Sequence, residues 1–400
     1  MPFRSLVVLT ALLHVYLGLR LLPSLHAVSH LASAALFLAL LLSVVSMPLP
    51  FMAFRGHGRA IGRGWQWLGL MAMGWFSSMA VTTLLRDVAL LVVWLLRMSG
   101  HVTPELMSDL TRWSAIAVPL MATASSLIGF FNARRTARVV RIDVPITDLP
   151  KALRGFTIAQ LSDLHVGPTI RRGYIQRIVD RVNRLEADAV AITGDLVDGD
   201  VPTLQRHIAP LTGLKARHGT FVVTGNHEYY AGATAWVAEL RRMGLRVLQN
   251  EHVLLAARGS HGDLTAQGAQ TDDEADAATL LLAGVNDFNA AHFDQAQASD
   301  PLTALSGAPP GVTTRILLAH QPRSAAAASA AGFQLQLSGH THGGQFFPWN
   351  FFVPLQQPYV SGLHRLDAMW IYISRGTGYW GPPKRIGAPS EITLVRLVSA

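Results

Sequence analysis

The chain has 400 residues, more than one ordinary domain requires, and is 50% hydrophobic with 14% charged residues and a formal charge of +8. It contains no cysteine, which excludes disulfides, thiolate metal sites and a cysteine nucleophile. The positive charge suits an anionic lipid surface, a phosphorylated ligand or nucleic acid.

The apolar excess sits in the first third. Runs at 5–22, 31–53, 65–96 and 113–131 each approach or exceed the ~20 residues a membrane span needs. No small-residue cleavage site follows the first run, which argues against a signal peptide. The third run contains Arg86 and Asp87, read as a local pair or as packing inside the bundle, and has no turn signal at its middle to split it into a hairpin. Arg4 precedes the first run, Arg55, Arg59 and Arg63 lie between the second and third, and Arg134, Arg135, Arg138 and Arg141 follow the fourth. Four spans put these groups on one side. The opposite loops hold Arg20 and a mixed set, Arg97, Glu105, Asp109 and Arg112. The positive-inside rule then predicts a cytoplasmic N-terminus and a cytoplasmic C-terminal region in an inner membrane.

Residues 136–400 read as a separate domain from the helical 1–135. Strands are expected at 139–144, 156–161, 189–193, 221–223, 280–285, 314–319, 333–337, 370–374 and 391–397, with shorter strand positions at Val247, Val253 and Leu255. Helices are expected at 171–185, 203–214, 233–243 and 324–331. Residues 258–278 lack periodicity and read as a mobile loop. Strands alternating with helices, then mostly strands, predict an α/β sandwich.

Polar residues end these strands: Asp163 and His165, Asp195, Asn226 and His227, His320, His340 and His342. Any one of them alone is an ordinary hydrogen-bonding residue. Together they are carboxylates, imidazoles and an amide without sulfur, a set that suits Mn, Fe, Zn, Co or Mg. Eight such residues exceed what one ion with open positions takes, but suffice for two ions sharing a carboxylate. In Asp163-x-His165 and His340-x-His342, side chains two apart on a strand would face the same way. Two such ions clamp the attacking and leaving oxygens of a phosphoryl displacement.

Asp163-Leu164-His165, Gly194-Asp195-Leu196-Val197-Asp198, Gly225-Asn226-His227-Glu228, His320 and Gly339-His340-Thr341-His342 resemble, in order, the motifs of the calcineurin-like metallophosphoesterases. The similarity covers roughly residues 150–400, and Ser374-Arg375-Gly376-Thr377-Gly378 with Pro389-Ser390-Glu391-Ile392 resembles the bacterial, often membrane-associated branch. Members of related branches cleave the pyrophosphate of a diacylglucosamine nucleotide. The resemblance implies a four-layer α/β/β/α sandwich and two divalent metals. By the same resemblance Asp163, His165 and His342 hold one ion, and Asn226, His320 and His340 hold the other. Asp195 bridges them with a hydroxide that attacks phosphorus. His227 would act on the phosphoryl oxygens or the leaving group, Asp198 would orient it, and Glu228 would support the site.

Several other residues match no motif. His207, His218, His252, His292 and His364 read as surface or hydrogen-bonded histidines. Gly343-Gly344 and Gly376-x-Gly378 read as phosphate cradles or tight turns, and Arg171, Arg172 and Arg375 as phosphate contacts or solvated surface. The Phe346, Phe347, Trp349, Phe351 and Phe352 cluster reads first as core and second as an apolar lip for an acyl chain or the bilayer. The expected activity is hydrolysis of a P–O bond in a lipid-linked phosphodiester or pyrophosphate. The rivals are a monoester or soluble nucleotide substrate, and a metal-binding membrane sensor without turnover. Basic residues track the span ends rather than a groove with interleaved aromatics, which disfavours nucleic acid.

Overall fold

The computed structural model describes residues 3–54, 61–257 and 278–400. The stretch 258–277, most of the expected loop, lies outside them, as do Arg55 and Arg59. The described chain divides into two compact units. One comprises Met1–Arg134 with Gly381–Ile386, the other Arg135–Trp380 with Gly387–Ala400.

The first unit is built from α1 (Phe3–His26), α2 (His30–Ser46), α3 (Leu49–Phe54), α4 (Arg63–Met98) and α5 (Pro104–Arg134). Four helical segments, Ser5–His26, His30–Ala53, Arg63–Met98 and Pro104–Arg134, are long and apolar enough to cross a membrane. The helix α4 is continuous through its middle, so the hairpin alternative is excluded. The charged residues assigned to the opposite loops are helical instead. Arg97 lies in the last turn of α4, Glu105, Asp109 and Arg112 in the first turns of α5, and Arg20 within α1. Hydropathy misplaced that boundary because an amphipathic helical end carries charge without leaving the helix. Inside the bundle Arg86 is buried, donating to Ser114 Oγ at 2.9 Å and to Asp87 at 3.1 Å, and Arg20 donates to the same Asp87 at 2.7 Å. A charge in an apolar bundle needs such a partner. The segment Gly381–Ile386 belongs to this unit through Lys384. Its ammonium donates to Gly74 O at 3.0 Å, to Ser126 Oγ at 3.1 Å and to Ser78 Oγ.

The second unit contains two six-stranded sheets. The first has the order β1 (Arg138–Ile146), β12 (Glu391–Ser399), β2 (Thr157–Leu161), β3 (Ala189–Thr193), β4 (Thr220–Val223), β5 (Arg246–Val247). The second has the order β10 (Gly362–Leu366), β11 (Met369–Ile373), β9 (Leu335–Ser338), β8 (Thr314–Leu318), β7 (Thr279–Gly284), β6 (Glu251–Ala256). The β2, β3, β4 and β5 strands run parallel, as do β7, β8, β9 and β11. Strand alternation sorts the side chains into layers. Ile158, Ala191 and Phe221 of the first sheet meet Leu280, Leu282, Ile316 and Leu335 of the second in one core. The alternate residues Leu281, Ala283 and Leu317 turn outward to Ala325 and Ala328 of α10 (Ala325–Ala330). On the other side α6 (Arg172–Asn183), α7 (Val201–Ile208) and α9 (Ala233–Arg242) contact one another, with α9 against β5. Ile175, Ile178, Val179 and Val182 of α6 are its buried stripe. This is the four-layer α/β/β/α sandwich. Each fully buried Leu or Ile in it contributes roughly 1.5–3 kcal/mol.

The edge strand β10 had no strong sequence signal, since His364 and Arg365 interrupt its apolar positions. The aromatic cluster is corrected as well. Phe346 is buried, but Phe347, Trp349, Phe351 and Phe352 are exposed because two short 3₁₀ turns, Trp349–Phe351 and Val353–Leu355, carry them off the sandwich.

Candidate metal centre

The parallel strands β2, β3 and β4 deliver their following residues to one edge of the first sheet, and β8 and β9 do the same for the second. In open α/β sheets this edge is where ligands bind. The residues do not lie on the strands themselves. Asp163, His165, Asp195, His340 and His342 all have left-handed backbones, with φ of 54°, 48°, 52°, 70° and 52°. Strand alternation, expected to align Asp163 with His165 and His340 with His342, therefore does not operate. Left-handed turns aim these side chains instead, at a cost of order 1–3 kcal/mol each that the surroundings must cover. The hydrogen bonds Asp163 N to Gly194 O, His165 N to Asp195 O and Asp198 N to Val166 O tie the loops after β2 and β3 into a short ladder. Gly339 permits the closest approach between the two sheets, since a Cβ there would collide with Ser162 Oγ and Asp163 Oδ2.

Asp163, His165, Asp195, His227, His320, His340 and His342 converge, while Asp198 lies behind His165 and His227. His342 Nε2 lies 3.1 Å from His165 Nε2 and 3.4 Å from Asp163 Oδ1. His320 Nε2 lies 3.1 Å from both His340 Nδ1 and Asp195 Oδ2, and the same Asp195 oxygen is 3.8 Å from His165 Nε2. Three groups of potential ligands result: Asp163, His165 and His342; His165, Asp195 and His227; Asp195, His320 and His340. Ligands about 2.1 Å from an ion sit roughly 3 Å apart, as several of these nitrogens and oxygens do. Among the described residues the buried Asn226 Oδ1 has no hydrogen-bond partner, which a bound cation would resolve. The donor set therefore fits two divalent ions.

The opposite ring nitrogens explain the imidazole orientations. His320 Nδ1 donates to Thr193 O at 2.8 Å and His165 Nδ1 to Asp198 Oδ1 at 2.9 Å, so both leave Nε2 free to bind. The same Asp198 oxygen lies 2.7 Å from His227 Nδ1. One carboxylate thus orients the His165 ring by a hydrogen bond and lies as an ion-pair partner against the His227 ring.

Electrostatics follow from burial and neighbours. Burial opposes the charge on His227, but Asp195 and Asp198 outweigh it and raise its pKa to about 9. Burial, with His320 beside it, lowers His340 to about 3, which keeps that ring neutral. Burial would raise Asp195, yet His320 and His227 hold it well below the usual carboxylate range. Asp198 is likewise held low, by His165 and His227 against its own burial.

Three features go beyond the sequence reading. Glu228, buried in the first turn of α8 (Asn226–Ala231), accepts from the backbone N–H groups of Gly225, Asp195, Leu196 and Val197 at 2.7–3.2 Å. It clamps the β3 loop to the β4 loop. Burial and Asp195 push its carboxyl up to about 7, against those N–H bonds. The second is Asp287, fully buried after β7, whose oxygens accept from Gln321 Nε2 at 3.0 and 3.1 Å, next to His320. Its signal was available, since Asn286-Asp287 ends an apolar run as the other motifs do. The third is an aromatic rim: His227 lies 5.5 Å from Tyr230 and 5.8 Å from Trp380, ring centre to ring centre.

The remaining candidates have local roles. Gly378 serves close approach rather than a phosphate cradle, because a Cβ there would collide with Leu164 O. Arg375 lies 3.7 Å from Glu391. His218 stacks on Phe156, while His252 Nδ1 and His364 Nε2 donate to the backbone carbonyls of Ala304 and Ser361.

The calcineurin-like phosphoesterase family model matches residues 156–344. An uncharacterized metallophosphoesterase of Aquifex aeolicus is 31% identical over 278 residues, covering 68% of this chain and 96% of its own length. The chain belongs to the calcineurin-like metallophosphoesterases. The bovine "Transmembrane protein with metallophosphoesterase domain" is 39% identical over 292 residues, covering 72% of this chain. An uncharacterized metallophosphoesterase of Campylobacter jejuni is 34% identical over 268 residues, covering 66% of this chain. The matched regions span 62% and 64% of those two relatives.

Proposed function

We propose that this chain is a multi-pass inner-membrane phosphoesterase. Residues 1–135 anchor it, and residues 136–400 form a cytoplasmic catalytic domain that hydrolyses a P–O bond of a lipid-linked phosphodiester or pyrophosphate. The observation that carries the reading is the convergence of carboxylate and imidazole groups from both sheets, several of them 3.1–3.8 Å apart. Asp163, His165 and His342 hold one divalent ion, Asn226, His320 and His340 the second, and Asp195 lies between them. Mn, Fe, Zn or Co suits this donor set. Two bound ions supply Lewis acidity and a water activated for attack on phosphorus.

The protein's own groups do the rest. Asp198 fixes His227 through Nδ1, which leaves Nε2 facing the centre, 3.9 Å from Asp195 Oδ2. The protonated form of His227, which Asp198 beside Nδ1 favours, donates its proton to the departing alkoxide or phosphate oxygen. Glu228 keeps the β3 and β4 loops in register, so Asp195 and His227 hold their spacing. The cytoplasmic placement rests on Arg63, Arg134, Arg135, Arg138 and Arg141 on one side of the span count. Protease cleavage of the C-terminal domain from outside intact cells would overturn that placement.

The decisive assay uses detergent-purified protein with Mn²⁺ and compares bis-p-nitrophenyl phosphate with p-nitrophenyl phosphate, with Asp195→Asn as control. The expected result is diester cleavage that the control lacks, followed by cleavage of a lipid-linked diester. Monoester cleavage alone would replace the diester reading with a phosphatase, and no turnover with two metals bound would favour the sensor.

A further inference from the structure

Residues 343–364, which follow the last imidazole of the centre, contain no Asp, Glu, Lys or Arg. Within them Phe347, Trp349, Phe351, Phe352 and Leu355 are 49–77% exposed. A contiguous apolar patch of this kind marks an interaction surface.

The stretch is built rather than loose. Trp349 N donates to Phe346 O, Phe351 N to Pro348 O, Phe352 N to Trp349 O, Leu355 N to Phe352 O, and Gln357 N to Val353 O, all within 2.9–3.1 Å. Its ends are pinned to the sandwich. Gln345 exchanges two side-chain bonds with the Trp380 backbone, both 2.9 Å, and Thr341 Oγ1 donates to Val360 O at 2.6 Å. Gln357 Nε2 donates to Gln321 Oε1 at 3.1 Å. The turns therefore satisfy these backbone groups without water while holding aromatic side chains outward.

We propose that residues 346–355 insert into the interfacial layer of the lipid bilayer. Three observations favour lipid over a protein partner. A segment entering an apolar medium must satisfy its backbone internally, and this one largely does. It holds the Trp of membrane–water belts together with the Phe and Leu that interfacial segments bury, and it offers no charge for a partner's charge to meet. The chain also carries four helices able to cross a membrane, so the bilayer is present at high effective concentration without a separate association step. The proposal rests on the membrane-spanning reading and not on catalysis, so inactivity of the enzyme would leave it standing.

The absence of cysteine makes the test site-specific. Full-length Phe351→Cys is labelled with a nitroxide and reconstituted into liposomes, with Gln176→Cys on the exposed side of α6 as the aqueous reference. Leu355→Cys, at the most exposed of the five positions, serves as a second probe if Phe351→Cys reconstitutes poorly. Collision rates with oxygen and with a water-soluble nickel complex are then compared. The expected result is a several-fold rise in the oxygen-to-nickel ratio at 351 over 176. Nickel access equal to that at 176 would overturn the proposal by placing the turns in water. Low access to both reagents would overturn it by showing a protein cover, such as a second copy of the chain.

Discussion

The two sheets of the catalytic unit contribute different chemistry to one centre. The first supplies the carboxylates Asp163, Asp195 and Asp198, the amide of Asn226, and the imidazoles of His165 and His227; the second supplies imidazoles alone, His320, His340 and His342. Hydrogen bonds tie the two halves together. Asp163 accepts from His340 N at 3.0 and 3.1 Å, His320 Nδ1 reaches Thr193 O, and His320 Nε2 reaches Asp195. Neither sheet contains a complete site, so the centre forms only when the sandwich closes. The carboxylates among the candidate ligands come from the first side alone, while imidazoles come from both. That division predicts which substitutions abolish the centre and which only detune it.

The largest effect should come from Asp195→Asn, which removes the one carboxylate shared between the two halves. Turnover should fall below detection and metal stoichiometry should drop, read by elemental analysis of the purified variant; retention of two metals with normal turnover would break the comparison. Next is His227→Gln. It should lower kcat by ~10²–10⁴-fold while both metals stay bound, because the role proposed for this ring is to move a proton rather than to hold an ion. A change in metal content instead would reassign His227 as a ligand. Asp198→Asn should cost less, about 10–100-fold in activity or metal affinity, since it acts through His165 and His227. Equal losses in Asp198→Asn and His227→Gln would indicate that orientation is the whole contribution of His227.

The smallest effect is one of pH on the metal-free protein. The His227 pKa is raised to about 9 from an ordinary 6.5. A group held protonated in the folded state contributes stability that is fully present below pH 6.5 and lost as pH rises through about 9. In the presence of chelator the thermal midpoint should therefore fall across that window, and His227→Gln should flatten the slope. An unchanged slope in that variant would assign the titration to another group.

Much of this was written in the local sequence. The expected strand at 189–193 and the helix at 233–243 match β3 and α9 to within a residue, because an unbroken apolar run or a 3.6-residue stripe reports burial directly. Four span-length runs gave four helices for the same reason. The Arg97 to Arg112 region and β10 were missed where charge and periodicity disagree with the backbone. Glu228 was expected to support the site, but the clamp it makes was not legible because its partners Asp195, Leu196 and Val197 are 31–33 residues away in the chain. The inclusion of Gly381–Ile386 in the helical unit depends on Lys384 meeting residues more than 250 positions earlier, a contact no local pattern encodes.

The sequence by itself determined the chemistry. Side chains carry their ligand atoms wherever they are placed, so the absence of sulfur, the count of imidazoles and carboxylates and their order after apolar runs already implied a two-metal phosphoesterase centre. Tertiary structure alone decided how those atoms meet. Left-handed turns rather than strand alternation aim Asp163, His165, His340 and His342, and one Asp198 oxygen lies within hydrogen-bonding reach of two rings. The four aromatic residues Phe347, Trp349, Phe351 and Phe352 face outward rather than into the core. These outcomes depend on which distant segments occupy the neighbouring space, and that is settled only by closure of the two sheets over a shared core.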